Sequence, residues 1–197
     1  MKKYFRKYFL VWCIIIPLSG VSGQEVRDLH LDVGFGGGFA LPRGDFSNTA
    51  KTGYHLSLSG YISTSGFLRV GAGVHYNNLR MEKEIQFAPF SEPSLVHDNL
   101  GYWMFSAGLA LVPVRSRPAP YIDIDALFNL LESTPSFESE TSHTGLGIGG
   151  GILVPFPQPI TLDIHAQYQI LNLLDKGSGG LTMPQLVVEA SLFFTVF

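Results

Sequence analysis

The chain has 197 residues, with 13 Lys and Arg against 16 Asp and Glu, a formal net charge of −3, and charged side chains make up 15% of it. A soluble domain usually carries about 25% charged residues, and this acidic balance excludes a nucleic-acid binder that works by charge. The length suits one domain.

Lys2, Lys3, Arg6 and Lys7 form a basic head, followed by an apolar run broken by Pro17 and then by Val21-Ser22-Gly23. This is the pattern of a signal peptide over residues 1–23, with the cut before Gln24 and a single domain over 24–197. The apolar stretch is too short for a membrane-spanning helix, which needs about 20 residues. A lipoprotein cut at Cys13 is rejected, because Trp12 is bulky and the cut would fall inside the apolar core. Processing would leave nine basic residues against sixteen acidic, a net charge of −7, and would remove the only cysteine. An exported chain without disulfides must be stabilised in another way.

Beyond the signal, the dominant pattern is alternation, the period of a strand. It recurs over residues 29–41, 54–62, 67–77, 101–112, 121–130, 145–154, 160–170 and 186–197. In the first run Leu31, Val33, Phe35 and Phe39 share one face, and His30, Asp32, Gly34, Gly36 and Gly38 share the other. In the third, Leu68, Val70 and Val74 oppose Arg69, Gly71, Gly73 and His75. The connections alternate in length. Those at 42–53, 78–99, 131–144 and 171–184 are long and polar, whereas those at 63–66, 113–119 and 155–159 are short. Eight strands with a long–short rhythm predict an all-β fold, an eight-stranded antiparallel up-and-down transmembrane barrel. A soluble sandwich or lipocalin-like barrel would turn its polar face to water. Here the polar faces carry Gly, Ser and His in place of Lys and Glu, which argues against it.

Three stretches carry a resemblance: Pro42-Arg43-Gly44-Asp45-Phe46, then Thr52-Gly53-Tyr54, and the terminal Phe197. With the strand pattern, they make the chain similar to the small eight-stranded outer-membrane barrels of the OmpA/OmpX and opacity type, most of all the standalone "outer membrane protein beta-barrel domain" branch. The resemblance implies the outer membrane of a Gram-negative bacterium, contact with outer-membrane lipid, a monomer, and assembly by the barrel-assembly machinery with Phe197 as its signal. In the family pattern that terminal Phe shares the apolar face; here the parity puts Phe197 on the other one. The Pro42–Phe46 stretch is read as a structured outer loop, with Asp45 accepting local backbone hydrogen bonds.

The polar face defines the candidate site. His30, Asp32, His55, Arg69, His75, Asp123, Asp125, Asp163, His165 and Glu189 all point inward by parity. Asp163-x-His165 and His30-x-Asp32 each place two metal-ligand types on one face. Buried charges must be paired or hydrogen-bonded, so the set is read as an internal network with Arg69 as its hub, and no metal site is expected. Gly145-x-Gly147-x-x-Gly150 matches a dinucleotide fingerprint, but that motif needs a helix after it, and here a strand runs through the glycines. They are read as space for Tyr61, Phe67 and Tyr121, and no cofactor is expected. An eight-stranded lumen is filled by side chains, so general porin activity is not expected either.

The expected function is non-enzymatic: a structural or surface-interaction role carried by the outer loops, with 78–99 as the candidate contact surface for a surface ligand. Two alternatives stand beside it. One is a lipid A deacylase-like enzyme using His55 and Ser57, although both face inward and no acidic third member is evident. The other is an accessory barrel of a secretion system.

Overall fold

Each alternating run forms a strand in the computed structural model, which describes residues 30–63, 67–85, 94–113, 118–131, 141–174 and 182–196. The strands are β1 (His30–Pro42), β2 (Ala50–Ser63), β3 (Leu68–Ile85), β4 (Ser94–Leu111), β5 (Ala119–Leu131), β6 (Thr141–Pro155), β7 (Ile160–Ile170) and β8 (Pro184–Thr195). Each pairs antiparallel with its neighbour in sequence, and β1 pairs with β8 to close the barrel. Closure matters because lipid offers no hydrogen bonds to an open strand edge. The closing ladder runs from Asp32 opposite Thr195 to Pro42 opposite Gln185.

The facing follows the predicted parity. Phe35, Leu58, Ile122, Ile148 and Ile164 project outward and are exposed, while His55, Arg69, Asp123 and Asp163 are buried. An exterior this apolar is a lipid-facing surface. Tyr54, Tyr76 and Trp103 form a row across β2, β3 and β4, with ring centroids 6.1 and 5.0 Å apart. Toward the other end, Phe35 stacks on Phe194 across the closing seam at 6.4 Å. Aromatic rings at both margins of an apolar band are the usual anchors of a transmembrane barrel.

Four boundaries differ from expectation. The connection expected at 78–99 is mostly ladder, because β3 continues to Ile85 and β4 starts at Ser94. The facing continues unbroken but the chemistry of the faces inverts: Leu79, Met81 and Leu100 turn inward and are buried, as Tyr102 is, whereas Arg80 is exposed. The connection expected at 42–53 contains a 3-10 turn (Gly44–Asn48), and β2 already begins at Ala50, with a bulge between Lys51 and Tyr54. Strand β6 starts at Thr141, inside the connection expected at 131–144, and β8 ends at Thr195. Phe67 is exposed on the outside and needs no space in the lumen. The signal segment, Phe197 and the loop residues 86–93 lie outside the described residues.

The apolar core sits inside the barrel at the end that carries the long connections. Phe46, Leu79, Met81, Leu100, Tyr102, Met104, Leu127, Leu131, Leu171, Met183 and Val187 form one buried cluster. Phe46 comes from the 3-10 turn and is 0% exposed, so the first long connection folds back as a plug. Gly44 makes this entry possible: its φ of +54° is a conformation that side-chain-bearing residues rarely adopt. Ser47 then donates to the Gly44 carbonyl at 2.6 Å, and the Arg43 amide donates to the Pro184 carbonyl at 2.9 Å, tying the loop to the start of β8.

Candidate functional site in the barrel lumen

Below the plug the lumen is polar, and its centre is set by one glycine. Gly38 of β1 lies opposite both His55 of β2 and Glu189 of β8. A Cβ at Gly38 would run into the Val188 carbonyl and come within 2.7 Å of the Glu189 Cα. With no side chain there, residues of β2 and β8 meet across β1. His55 Nε2 lies 2.7 Å from Glu189 Oε2. His55 Nδ1 faces Asn77 Oδ1 at 2.8 Å, and His55 and Asn77 are ladder partners. The His75 ring stacks beside His55 at 5.2 Å, and its Nε2 meets Ser106 Oγ at 2.8 Å. Ser191 donates to Glu189 Oε1 at 3.2 Å, and His165 Nδ1 lies 3.9 Å from the same oxygen.

A second group stands on β5 and β7 and meets across β6. His165 Nε2 meets Asp123 Oδ1 at 3.0 Å, and Gln167 donates to Asp123 Oδ2 at 2.6 Å and to Asp125. Tyr121 donates its hydroxyl to both oxygens of Asp163, at 3.0 and 2.9 Å. Tyr121 fits because Gly151 beside it has no side chain: a Cβ there would lie 2.8 Å from the ring. From Gln167 a chain of amides climbs toward the plug. Gln169 donates to Gln167, Gln185 donates to Gln169, and the Tyr102 hydroxyl donates to Gln185, each at 2.7 Å.

Arg69 is not the hub that the sequence suggested. It lies at the end of the lumen near the start of β1 and the end of β8, where its Nη2 donates to Asp32 Oδ2 at 3.2 Å and its Nε donates to Ser63 at 3.3 Å. Its guanidinium carbon sits 4.5 Å from the Tyr61 centroid and 5.9 Å from that of Phe193, two rings that meet edge-on at 5.4 Å. Stacking on ring faces suits a planar, weakly hydrated cation. Thr195 donates to the other Asp32 oxygen at 2.7 Å, which ties the network to the closing seam. Glu189 takes the central place instead, among His55, His165 and Ser191. His30 is exposed at the first residue of β1.

Reading ionisable residues alone missed Asn77, Tyr102, Gln167, Gln169 and Gln185, all of them buried. Parity would have found them, since each shares the inward face of its strand. His55 and Ser57 do share that face, but both His55 ring nitrogens are directed elsewhere, at Asn77 and Glu189. A serine nucleophile needs a ring nitrogen within hydrogen-bond reach as its base. The acidic partner that the sequence did not reveal is present in Glu189, yet it holds the nitrogen that Ser57 would require.

No protein-family model and no curated protein matches the sequence. Solved structures do. The crystal structure of Neisserial surface protein A (NspA) matches at a TM-score of 0.54 with 14% identity, over 84% of this chain and 96% of that one. OprG from Pseudomonas aeruginosa matches at a TM-score of 0.52 with 10% identity, over 85% of this chain and 93% of that one. The fold is that of the small eight-stranded outer-membrane barrels. At these identities the likeness concerns the fold, and the lumen described above is argued from this chain's own residues.

Proposed function

We propose that the protein is a monomeric, non-catalytic integral barrel of the outer membrane of a Gram-negative bacterium, with a structural or surface-interaction role carried by its long connections. The observation behind this reading is the opposed chemistry of the two faces: an apolar exterior bounded by aromatic rings, and a lumen sealed at one end by apolar side chains and crossed below by a polar network. Phe46, Leu79, Leu100 and Tyr102 seal one end with no exposed surface, which speaks against a general pore. The polar groups below are engaged with one another, and the two that would start acyl transfer are not aligned for it. Loops on a rigid scaffold are the usual carriers of binding, and the connection at 78–99 is the contact surface we favour.

Three measurements test this. The unheated protein should migrate differently from the boiled protein in SDS, as closed barrels do. Ser91→Cys, Ser139→Cys and Ser178→Cys should label from outside whole cells, while Ser65→Cys should not; labelling at Ser65 alone would invert the orientation. Replacing residues 87–92 with a Gly-Ser turn should leave heat-dependent migration intact and abolish attachment of expressing cells to an epithelial monolayer. Undiminished attachment by that variant would remove 78–99 as the contact surface.

A further inference from the structure

Three side chains of metal-ligand type converge in the lumen. A ligand atom from each of His55, His75 and Glu189 lies within 4.8 Å of the other two. They come from β2, β3 and β8, so the group is made by the fold and by neither of the sequence pairs His30-x-Asp32 and Asp163-x-His165. Asn77 Oδ1 takes up His55 Nδ1 at 2.8 Å, so Nε2 is the ring nitrogen turned toward Glu189. That nitrogen is 2.7 Å from Oε2, and Oε2 is buried with no aligned hydrogen-bond donor. A contact this short between two potential ligand atoms is held by a proton or a metal ion shared between them. His75 adds a third: its Nδ1 is buried and has no partner.

We propose that His55, His75 and Glu189 form a binding site for a divalent metal ion of the Zn2+ class. Two imidazoles and a carboxylate are a known donor set for zinc, at about 2.0–2.2 Å per ligand, with a fourth position left for water. Small side-chain rotations bring the three atoms to those distances: the His55–Glu189 contact opens and His75 swings inward. The surrounding contacts suit the role. Asn77 fixes the tautomer of His55 through its other nitrogen, as outer partners of metal-binding histidines do, and Ser191 holds the second Glu189 oxygen. The bound ion would join β2, β3 and β8 across β1, pinning the two sides of the closing seam. The site is internal and does not depend on the surface role proposed for the loops.

The test uses the untagged protein folded in detergent, loaded with Zn2+ and dialysed. We expect about one Zn2+ per barrel, a higher urea midpoint with the metal than without it, and visible absorption of the tetrahedral type when Co2+ replaces Zn2+. His75→Ala and Glu189→Gln should lose the bound metal, Asn77→Leu should weaken affinity roughly 10- to 100-fold, and His30→Ala should change nothing. Heat-dependent migration checks that each variant is folded. Should a variant fail to fold, diethyl pyrocarbonate labelling of the parent decides: Zn2+ should protect His55 and His75 but not His30. A folded parent that binds no Zn2+, retention of the metal by folded His75→Ala, equal loss in His30→Ala, or unprotected His55 and His75 would each overturn the site.

Discussion

On β3, Leu79 and Met81 point into the lumen at the long-loop end, and Arg69 and His75 point into the same lumen farther down the strand. On β8 the corresponding change runs from Val187 to Glu189 and Ser191. The upper lumen is thus closed by volume, with Phe46 delivered by a loop. The lower lumen is closed by partners, many of which reach across an intervening strand, as His55 does to Glu189 and Tyr121 does to Asp163. Apolar packing asks only that space be filled, and it tolerates rearrangement. A polar network asks that every member be satisfied, because an unpaired buried group is costly. The two halves should therefore fail differently: the upper through a cavity, the lower through a missing partner.

The largest effect should come from the plug. Phe46→Ala removes a fully buried ring, and such truncations cost about 3–5 kcal/mol. It should also open the 42–49 segment to protease in the unheated barrel. A loss below about 1 kcal/mol, with the loop still protected, would mean that Phe46 rests on a lumen already filled without it. Next comes Arg69→Ala, which strands Asp32 and the Tyr61–Phe193 pair. Loss of one member of a buried ion pair costs about 3–5 kcal/mol, and because the Asp32 side chain is 18% exposed, the lower end applies. The neighbouring outward change, Val70→Ala, deletes two carbons from the lipid face and should cost about 1.5 kcal/mol at ~0.8 per carbon. Urea titration of both variants in detergent separates them; the reverse order would mean that Arg69 does not depend on its partners.

Much of this division could be read in the sequence, and what could not has a physical reason. Alternation set the strand number and, for β7, the bounds as well. It also placed His55, Arg69, Asp123, Asp163 and Glu189 on the inner face, because side chains of a strand must alternate. It failed at Leu79 and Met81, where the strand rises past the lipid. There the outside meets water and the inside is apolar, so the same period carries the opposite meaning. Partner choice was also out of reach. Parity says that Arg69, Asp32, Asp123 and Asp163 look inward but not at what height, and height follows from the stagger between strands. Arg69 therefore reaches Asp32 rather than the Asp123 group. The central place of Glu189 rests on Gly38, whose role appears only when β2 and β8 are set on either side of it.

The boundary between the halves gives the smallest expected effect and the sharpest comparison. Tyr102 belongs to both: its ring is part of the apolar cluster, and its hydroxyl donates to Gln185 Oε1 at 2.7 Å. Tyr102→Phe keeps the ring and leaves a buried amide oxygen without its donor, at a cost of about 1–3 kcal/mol. Gln185→Leu alone strands the Tyr102 hydroxyl and also removes the donor to Gln169, so it should cost at least as much. The double variant replaces both groups with apolar ones next to Leu100, Met104 and Val187, extending the plug by one layer. Removing both partners can be nearly neutral where removing one is not. The double variant should therefore be more stable than the sum of the single losses predicts, by about 1 kcal/mol in a double-mutant cycle. Its residual loss then reports the break at Gln169, the first member of the polar half. If the two losses simply add, the Tyr102–Gln185 contact carries no coupling, and the apolar and polar halves are independent layers rather than one chain of contacts.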